Sequence, residues 1–238
     1  MPEEDFLMRA ITGMSEGLGV SSQVVTYPYR GTDHLRRLEV ESVLEAARLL
    51  QDGIGYMKLR SLDLRSGKEV RAALEALEGE GLQGLILDLR DNRGGRLEEV
   101  QEVAEIFSPP GTIIGWEQNG TQYPVPRVAE SEAPRPYPLV VLINGGTASA
   151  AELLAGGLQQ HGRAVLIGQP TAGKGTIQTA FPLGRGYVLW LTTGEYLLPD
   201  QQRLTGGLTP DLVISGSDTL LERAVDVLSR MRGARSRP

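Results

Sequence analysis

The sequence predicts an α/β domain with a mostly parallel sheet and flanking helices, and three observations carry that prediction. The runs GLILDL (84–89), PLVVLI (138–143) and RAVLIG (163–168) are apolar almost without interruption and have strand length. Strands read that way when a parallel sheet is covered on both faces. Helical patterns separate them, and each run passes directly into a polar or small-residue loop rich in glycine. Strand–helix alternation with loops at strand ends is the pattern of parallel α/β folds, whose sites gather at the carboxyl ends of the strands.

The elements follow in order. GIGYMKL (53–59) reads as a short buried strand. Ser66 and Glu69 then form an S-x-x-E capping-box signature, with Val70, Ala73, Leu74 and Leu77 on one face and Gly79 and Gly81 as the stop. After GLILDL the loop RDNRGG leads into a second helix, LEEVQEVAEIF, which Pro109 and Pro110 end. Residues 112–137 mix turns with weak strand signals. PLVVLI is followed by NGGTASAAELLAGGLQQHG, a small-residue turn and a helix closing at Gly162. Beyond Lys174 the pattern changes to strands, TIQTAFPL, GYVLWLTT and EYLLP, joined by tight turns. DTLLERAVDVLSRM is an amphipathic helix.

Bulk properties narrow the chemistry. With 238 residues and 40% hydrophobic content the chain can bury one sizeable core. The net charge of −6 comes from mixed signs, with no basic block for nucleic acid. The absence of cysteine excludes disulfides, thiolate nucleophiles and zinc–sulfur sites, and two histidines, His34 and His161, exclude a histidine-rich metal site. The N-terminal MPEEDFLMRAITG has no charged-then-apolar signal pattern, and no apolar run approaches the ~20 residues of a membrane span.

Three loops, Asp91–Gly95, Asn144–Ser149 and Gln169–Gly175, are the places to look for chemistry. Ser149 stands at a strand-to-helix turn, where its hydroxyl faces the same space as the unpartnered N–H groups of the first helical turn. From position alone it reads more readily as a helix cap. Lys174, between Gly173 and Gly175, is either a solvated charge or a base. A base must be neutral, and the small-residue loop is expected to bury it and so lower its pKa. G-Q-P-T-A-G-K-G-T (168–176) also approaches the phosphate-loop pattern G-x-x-x-x-G-K-[ST]. Gly175 stands where that pattern needs a hydroxyl, and TIQTAFPL does not read as a phosphate-capping helix. Asp88 and His161 form no convincing Ser–His–Asp set with Ser149. Asp88 reads as a structural acceptor, and His161 as a helix C-terminal residue.

Taken together, GIGYMKL, GLILDLRDNRGG, NGGTASAAELLAGGLQQHGRAVLIGQPTAGKGTIQ and GGLTPDLVI resemble, in order and spacing, the motifs of the C-terminal processing peptidases, or tail-specific proteases. The resemblance runs from Asp52 to the last helix. It implies a crotonase-like core, a serine endopeptidase acting on proteins with exposed C-terminal tails, and neither metal nor cofactor. By match to the family motif, Ser149 is the nucleophile, Lys174 the general base and Gln178 its helper. Backbone N–H groups of Gly95 and Ala150 form the oxyanion hole, with Gly94 the weaker alternative to Gly95. Ala151 stands where many relatives have a second serine. The family also suggests an extracytoplasmic location, for which the sequence shows no export signal. Residues 51–238 are thus expected to be the catalytic domain. Residues 1–50 are expected to hold a small PDZ-like remnant, whose carboxylate-binding loop would be Gly17–Val20. The rival expectations are a non-catalytic scaffold that keeps this fold and, more remotely, a nucleotide-binding protein.

Overall fold

The computed structural model describes residues 22–26, 42–109, 115–118, 121–124, 133–184 and 187–235, together with Arg9 and Gly13. The Gly17–Val20 loop and His34 lie outside the described residues. Two sheets make up the fold. The larger has six strands in the order β11-β8-β7-β4-β3-β2. They are β2 (Leu44–Leu49), β3 (Ile54–Leu59), β4 (Gly84–Asp88), β7 (Leu139–Ile143), β8 (Ala164–Gly168) and the two-residue β11 (Leu212–Val213). All neighbours are parallel except β2, which runs antiparallel to β3.

The apolar runs are explained by two-sided burial. Leu85, Leu87, Leu139, Val141, Ile143 and Leu166 point to one face, against helices α1 (Ser66–Gly79), α2 (Leu97–Phe107) and α3 (Ala150–Gln160). The alternate residues Ile54, Tyr56, Ile86, Val140, Leu142 and Ile167 meet Leu220, Ala224 and Leu228 of α4 (Ser217–Arg235) on the other. The inner strands therefore had to be apolar almost throughout, because successive side chains alternate between two dry faces. No helix among the described residues is long and apolar enough to cross a membrane.

The second sheet is antiparallel. Its path is β1-β10-β5-β6, and β9 also pairs with β10. The strands are β1 (Ser22–Thr26), β5 (Gly115–Gln118), β6 (Thr121–Pro124), β9 (Thr176–Gly184) and β10 (Tyr187–Leu197). GYVLWLTT and EYLLP thus form one strand rather than two, with a register shift between Thr192 and Gly194 where they join.

One local expectation fails. Ser66 and Glu69 make no capping box: the residue before α1, Arg65, has φ 80° and the cap has no side-chain hydrogen bond. Ser66 Oγ donates instead to Asp63 O at 2.7 Å. Glu69 turns to the β2 side, accepting from Val43 N at 3.0 Å and Ser42 Oγ at 2.7 Å. A tertiary donor has displaced the local one.

Candidate active site

β4, β7 and β8 are adjacent and parallel, so the three loops that follow them emerge side by side. Backbone and side-chain bonds stitch them together. Ala148 N donates to Asn92 O at 2.9 Å and Ala172 N to Thr147 O at 3.0 Å. Thr147 Oγ1 donates to Leu89 O at 2.8 Å, and Asp91 N to Asn144 Oδ1 at 3.0 Å. Buried Asn92 braces its own loop, donating to Leu59 O at 2.8 Å and accepting from Gly94 N at 2.9 Å.

Ser149, Lys174, Gln178 and Gly95 line one cavity of about 360 Å³, with Arg93, Leu97, Glu98, Thr176, Ile177, Trp190 and Tyr196. Ser149 occupies the residue before α3 with φ 57° and ψ −125°. A non-glycine side chain held there is strained by about 1–3 kcal/mol. The sharp strand-to-helix turn sets the half-buried hydroxyl at the cavity wall, 3.4 Å from Tyr196 Oη at the end of β10. Burial raises the pKa of Tyr196, opposed by its contact with Ser149, so the phenol is neutral at ordinary pH.

The two sequence-predicted oxyanion donors are placed as follows. Leu62 N donates to Gly94 O at 3.0 Å and Arg96 N to Leu62 O at 2.6 Å, a parallel bridge that points the Gly95 N–H away from Leu62. That N–H and the Ala150 N–H, at the first position of α3, have no acceptor among the described residues. The Gly94 N–H is committed to Asn92, which favours Gly95 between the two glycines. Gly95 cannot be larger, because a Cβ there would lie 2.1 Å from Leu62 O. The two donor segments are close: a Cβ on Gly94 would come within 2.8 Å of Ala150 N.

Lys174 departs from expectation. The loop does not bury it; its side chain is exposed, and no hydrogen bond joins it to Ser149. The loop backbone is nonetheless pinned, since Gly175 packs so tightly that a Cβ would sit 1.5 Å from Leu204 O. Glycines here serve close packing of backbone on backbone, leaving the lysine on the outer side. Gln178 follows on β9, half-buried.

A residue the sequence reading passed over ties this together. Glu152, in the first turn of α3, is wholly buried. Its Oε2 accepts from Ser149 N at 2.8 Å and Lys174 N at 2.9 Å. Its Oε1 accepts from Gly173 N at 2.7 Å and Thr171 Oγ1 at 2.5 Å. Thr171 Oγ1 in turn accepts from Leu208 N at 2.7 Å. One carboxylate thus fixes the backbone of both the serine and the lysine. The signal was present as S-x-x-E at 149–152, the signature read at 66–69.

The other candidates resolve simply. Asp88 accepts from Tyr56 Oη at 2.7 Å and pairs with Arg90 at 2.5 Å, a structural cluster on the α4 side of the sheet. His161 caps the C-terminus of α3. The segment after Lys174 is β9, so the helix N-terminus required by a phosphate-cradling loop is missing. Among the described residues no cluster of side chains could hold a metal.

Comparison with known proteins agrees with this architecture. A model of peptidase family S41 matches residues 53–214. A carboxyl-terminal-processing protease of Synechocystis sp. is 39% identical over 189 residues, 74% of this chain and 44% of the relative. The carboxy-terminal processing protease CtpA of Bacillus subtilis is 37% identical over 164 residues, 68% of this chain and 34% of the relative. Thus the chain spans less than half the length of these curated relatives. Among solved structures, a photosystem II D1 C-terminal processing protease superposes with a TM-score of 0.63 at 28% identity, over 88% of this chain and 52% of that one. A lipoprotein from Streptococcus agalactiae shares the fold, with a TM-score of 0.69 at 24% identity, over 88% of this chain and 76% of that one.

Proposed function

Because this chain belongs to peptidase family S41, we propose that it is a serine endopeptidase that cleaves proteins bearing exposed C-terminal tails, with Ser149 as nucleophile and Lys174 as general base. The observation that carries this reading is the convergence of Ser149, Lys174, Gln178 and Gly95 on one cavity. Neutral Lys174 takes the Ser149 proton as Oγ attacks the scissile carbonyl. The tetrahedral oxyanion is held by the Gly95 and Ala150 N–H groups, which have no competing acceptor among the described residues. Collapse returns the proton to the leaving amine and leaves an acyl-Ser149 ester. Water, activated by Lys174, hydrolyses the ester. Gln178 orients the amine through its amide oxygen, which needs no charge of its own. Lys174 is exposed, and a polypeptide bound in the cavity covers it and excludes water from the amine. The tail-binding role of a PDZ-like remnant within residues 1–50 and the extent of the catalytic domain, 51–238, are parts of the same proposal.

A second reading has its own observation. Exposed Lys174, with the Ser149 hydroxyl contacting Tyr196 instead, favours a scaffold that keeps the fold without turnover. Labelling by a serine-directed phosphonate, with the modified peptide mapped, separates the two. The peptidase labels at Ser149, and Lys174→Arg abolishes turnover because a guanidinium cannot serve as base. Lack of labelling, or undiminished hydrolysis in the arginine variant, removes the Ser–Lys mechanism.

A further inference from the structure

The loop between β4 and α2 carries three arginines, and their partners differ. Arg90 is clamped on buried Asp88, with its Nε at 2.9 and 3.0 Å from the two carboxylate oxygens and Nη2 at 2.5 Å from Oδ2. Arg96 lies 3.7 Å from Glu98 at the surface. Arg93 has no ion pair or hydrogen bond among the described residues, yet it lines the cavity beside Ser149, Lys174 and Gly95. Its backbone is not loose, because Asn92 and Gly94 on either side are held by the hydrogen bonds of the Asn92 side chain. A rigid loop therefore presents an uncommitted guanidinium at the place of reaction.

The charge around it favours an anion. The other charged groups lining the cavity are Lys174 and Glu98. The Glu98 carboxylate is mostly exposed and faces Arg96. The N-terminus of α3 opens on the same space with the Ala150 N–H, while the Glu152 carboxylate is buried behind it and held by four hydrogen bonds. Arg93 precedes Gly95 by two residues, so their Cα atoms are at most about 7 Å apart. A group gripped by Arg93 would therefore belong to a residue within a few positions of the scissile bond.

We infer that Arg93 is a specificity-determining residue that receives a substrate carboxylate close to the scissile bond. The inference rests on the peptidase reading and adds a substrate class to it. Planar guanidinium pairs with carboxylate through two parallel hydrogen bonds, a match that neutral side chains cannot make. The carboxylate has two sources: an aspartate or glutamate side chain, or the free α-carboxylate of a tail ending just beyond the cleaved bond.

The test compares kcat/KM on peptide pairs that differ by one charge. One series replaces Gln by Glu at each position flanking the scissile bond. The other ends one or two residues past it, as free acid or as amide. A solvent-exposed charge-assisted contact predicts a preference of about three- to tenfold for the carboxylate in one series, weakening as salt rises. Arg93→Gln brings that ratio near unity, and Arg93→Glu inverts it in favour of Lys at the same position. A glutamate-series preference identifies the side chain as the source, and an acid-over-amide preference identifies the chain terminus. A wild-type ratio of one in both series, or a ratio that survives Arg93→Gln, overturns the inference. If no peptide is hydrolysed, the peptidase reading is what has failed. Fluorescence-anisotropy binding of the same pairs to wild type and Arg93→Gln then decides the carboxylate site on its own.

Discussion

Replacing Glu152 by glutamine should damage both stability and turnover, and the structure gives the size of each effect. The buried carboxylate accepts four hydrogen bonds, two on each oxygen. A glutamine keeps the shape but turns one acceptor into a donor. Its least costly orientation keeps the amide oxygen toward Ser149 N and Lys174 N, and the NH2 group toward Thr171, whose hydroxyl can accept. Gly173 N is then stranded, at about 1–3 kcal/mol, and the two surviving bonds weaken on loss of charge. The sum is roughly 2–4 kcal/mol. At about 2–4 °C per kcal/mol for a domain of this size, Tm should fall by roughly 4–16 °C. Turnover should fall further than folding alone explains, because the anchor shared by Ser149 and Lys174 weakens and the backbone at Gly173, next to Lys174, loses its hold. A displacement of about 1 Å between reacting groups can cost ~100-fold. The assay is steady-state hydrolysis at a temperature where the variant is folded, beside Leu74→Ala, a core truncation of comparable cost that does not line the cavity. The core variant should lose Tm and keep kcat, while Glu152→Gln loses both with KM little changed. Equal kcat in the two variants would refute the anchoring role.

Three further outcomes are expected. Tyr196→Phe removes a hydroxyl 3.4 Å from Ser149 Oγ while keeping the ring, so kcat should fall by about two- to fivefold with Tm nearly unchanged; an unaltered kcat would deny the phenol any part in orienting the serine. Gly95→Ala drives a Cβ to 2.1 Å from Leu62 O, so phosphonate labelling of Ser149 should be lost and the melting transition lowered. Burial raises the pKa of Tyr56, to about 12, and of Tyr137 and Tyr196. The unfolded chain ionises these phenols near about pH 10. The native state holds their protons longer, so their stabilisation is complete below that pH and is lost as pH rises from there through the native-state pKa, about 12 for Tyr56. The denaturant midpoint should drop between about pH 9 and about pH 11 in step with the tyrosinate absorbance of the unfolded chain, and less steeply in Tyr56→Phe.

What the sequence disclosed follows from how local each cause is. GLILDL, PLVVLI and RAVLIG are readable because burial on both faces leaves almost nothing polar in a strand. The loops after them were readable because parallel strands put them at one edge. Ser149, Lys174 and Gln178 came from motif resemblance, and position alone would have made Ser149 a helix cap. The capping-box signature shows the limit. At Ser66 it failed because Glu69 found the Val43 N–H. At Ser149 it went unread, although Glu152 there binds the serine's own N–H. Which donor a carboxylate meets is decided by tertiary packing, 26 positions away in one case and three in the other. Tyr196 was hidden for the same reason, since nothing in EYLLP says which face meets the serine. Lys174 departs from the expected burial because the small-residue loop packs backbone on backbone and leaves the side chain outside.

The two sheets divide the cavity between them. Ser149 and the Gly95 loop belong to the six-stranded sheet, Gln178 and Tyr196 to the antiparallel one, and Lys174 to the link between β8 and β9. A centre built across such a seam is an alignment as much as a set of groups. A small tilt of one sheet against the other would part the serine from its partners while every strand kept its ladder. Inactivation and unfolding are then separate events, and on heating or in mild denaturant the activity should vanish while the circular dichroism of both sheets is still intact.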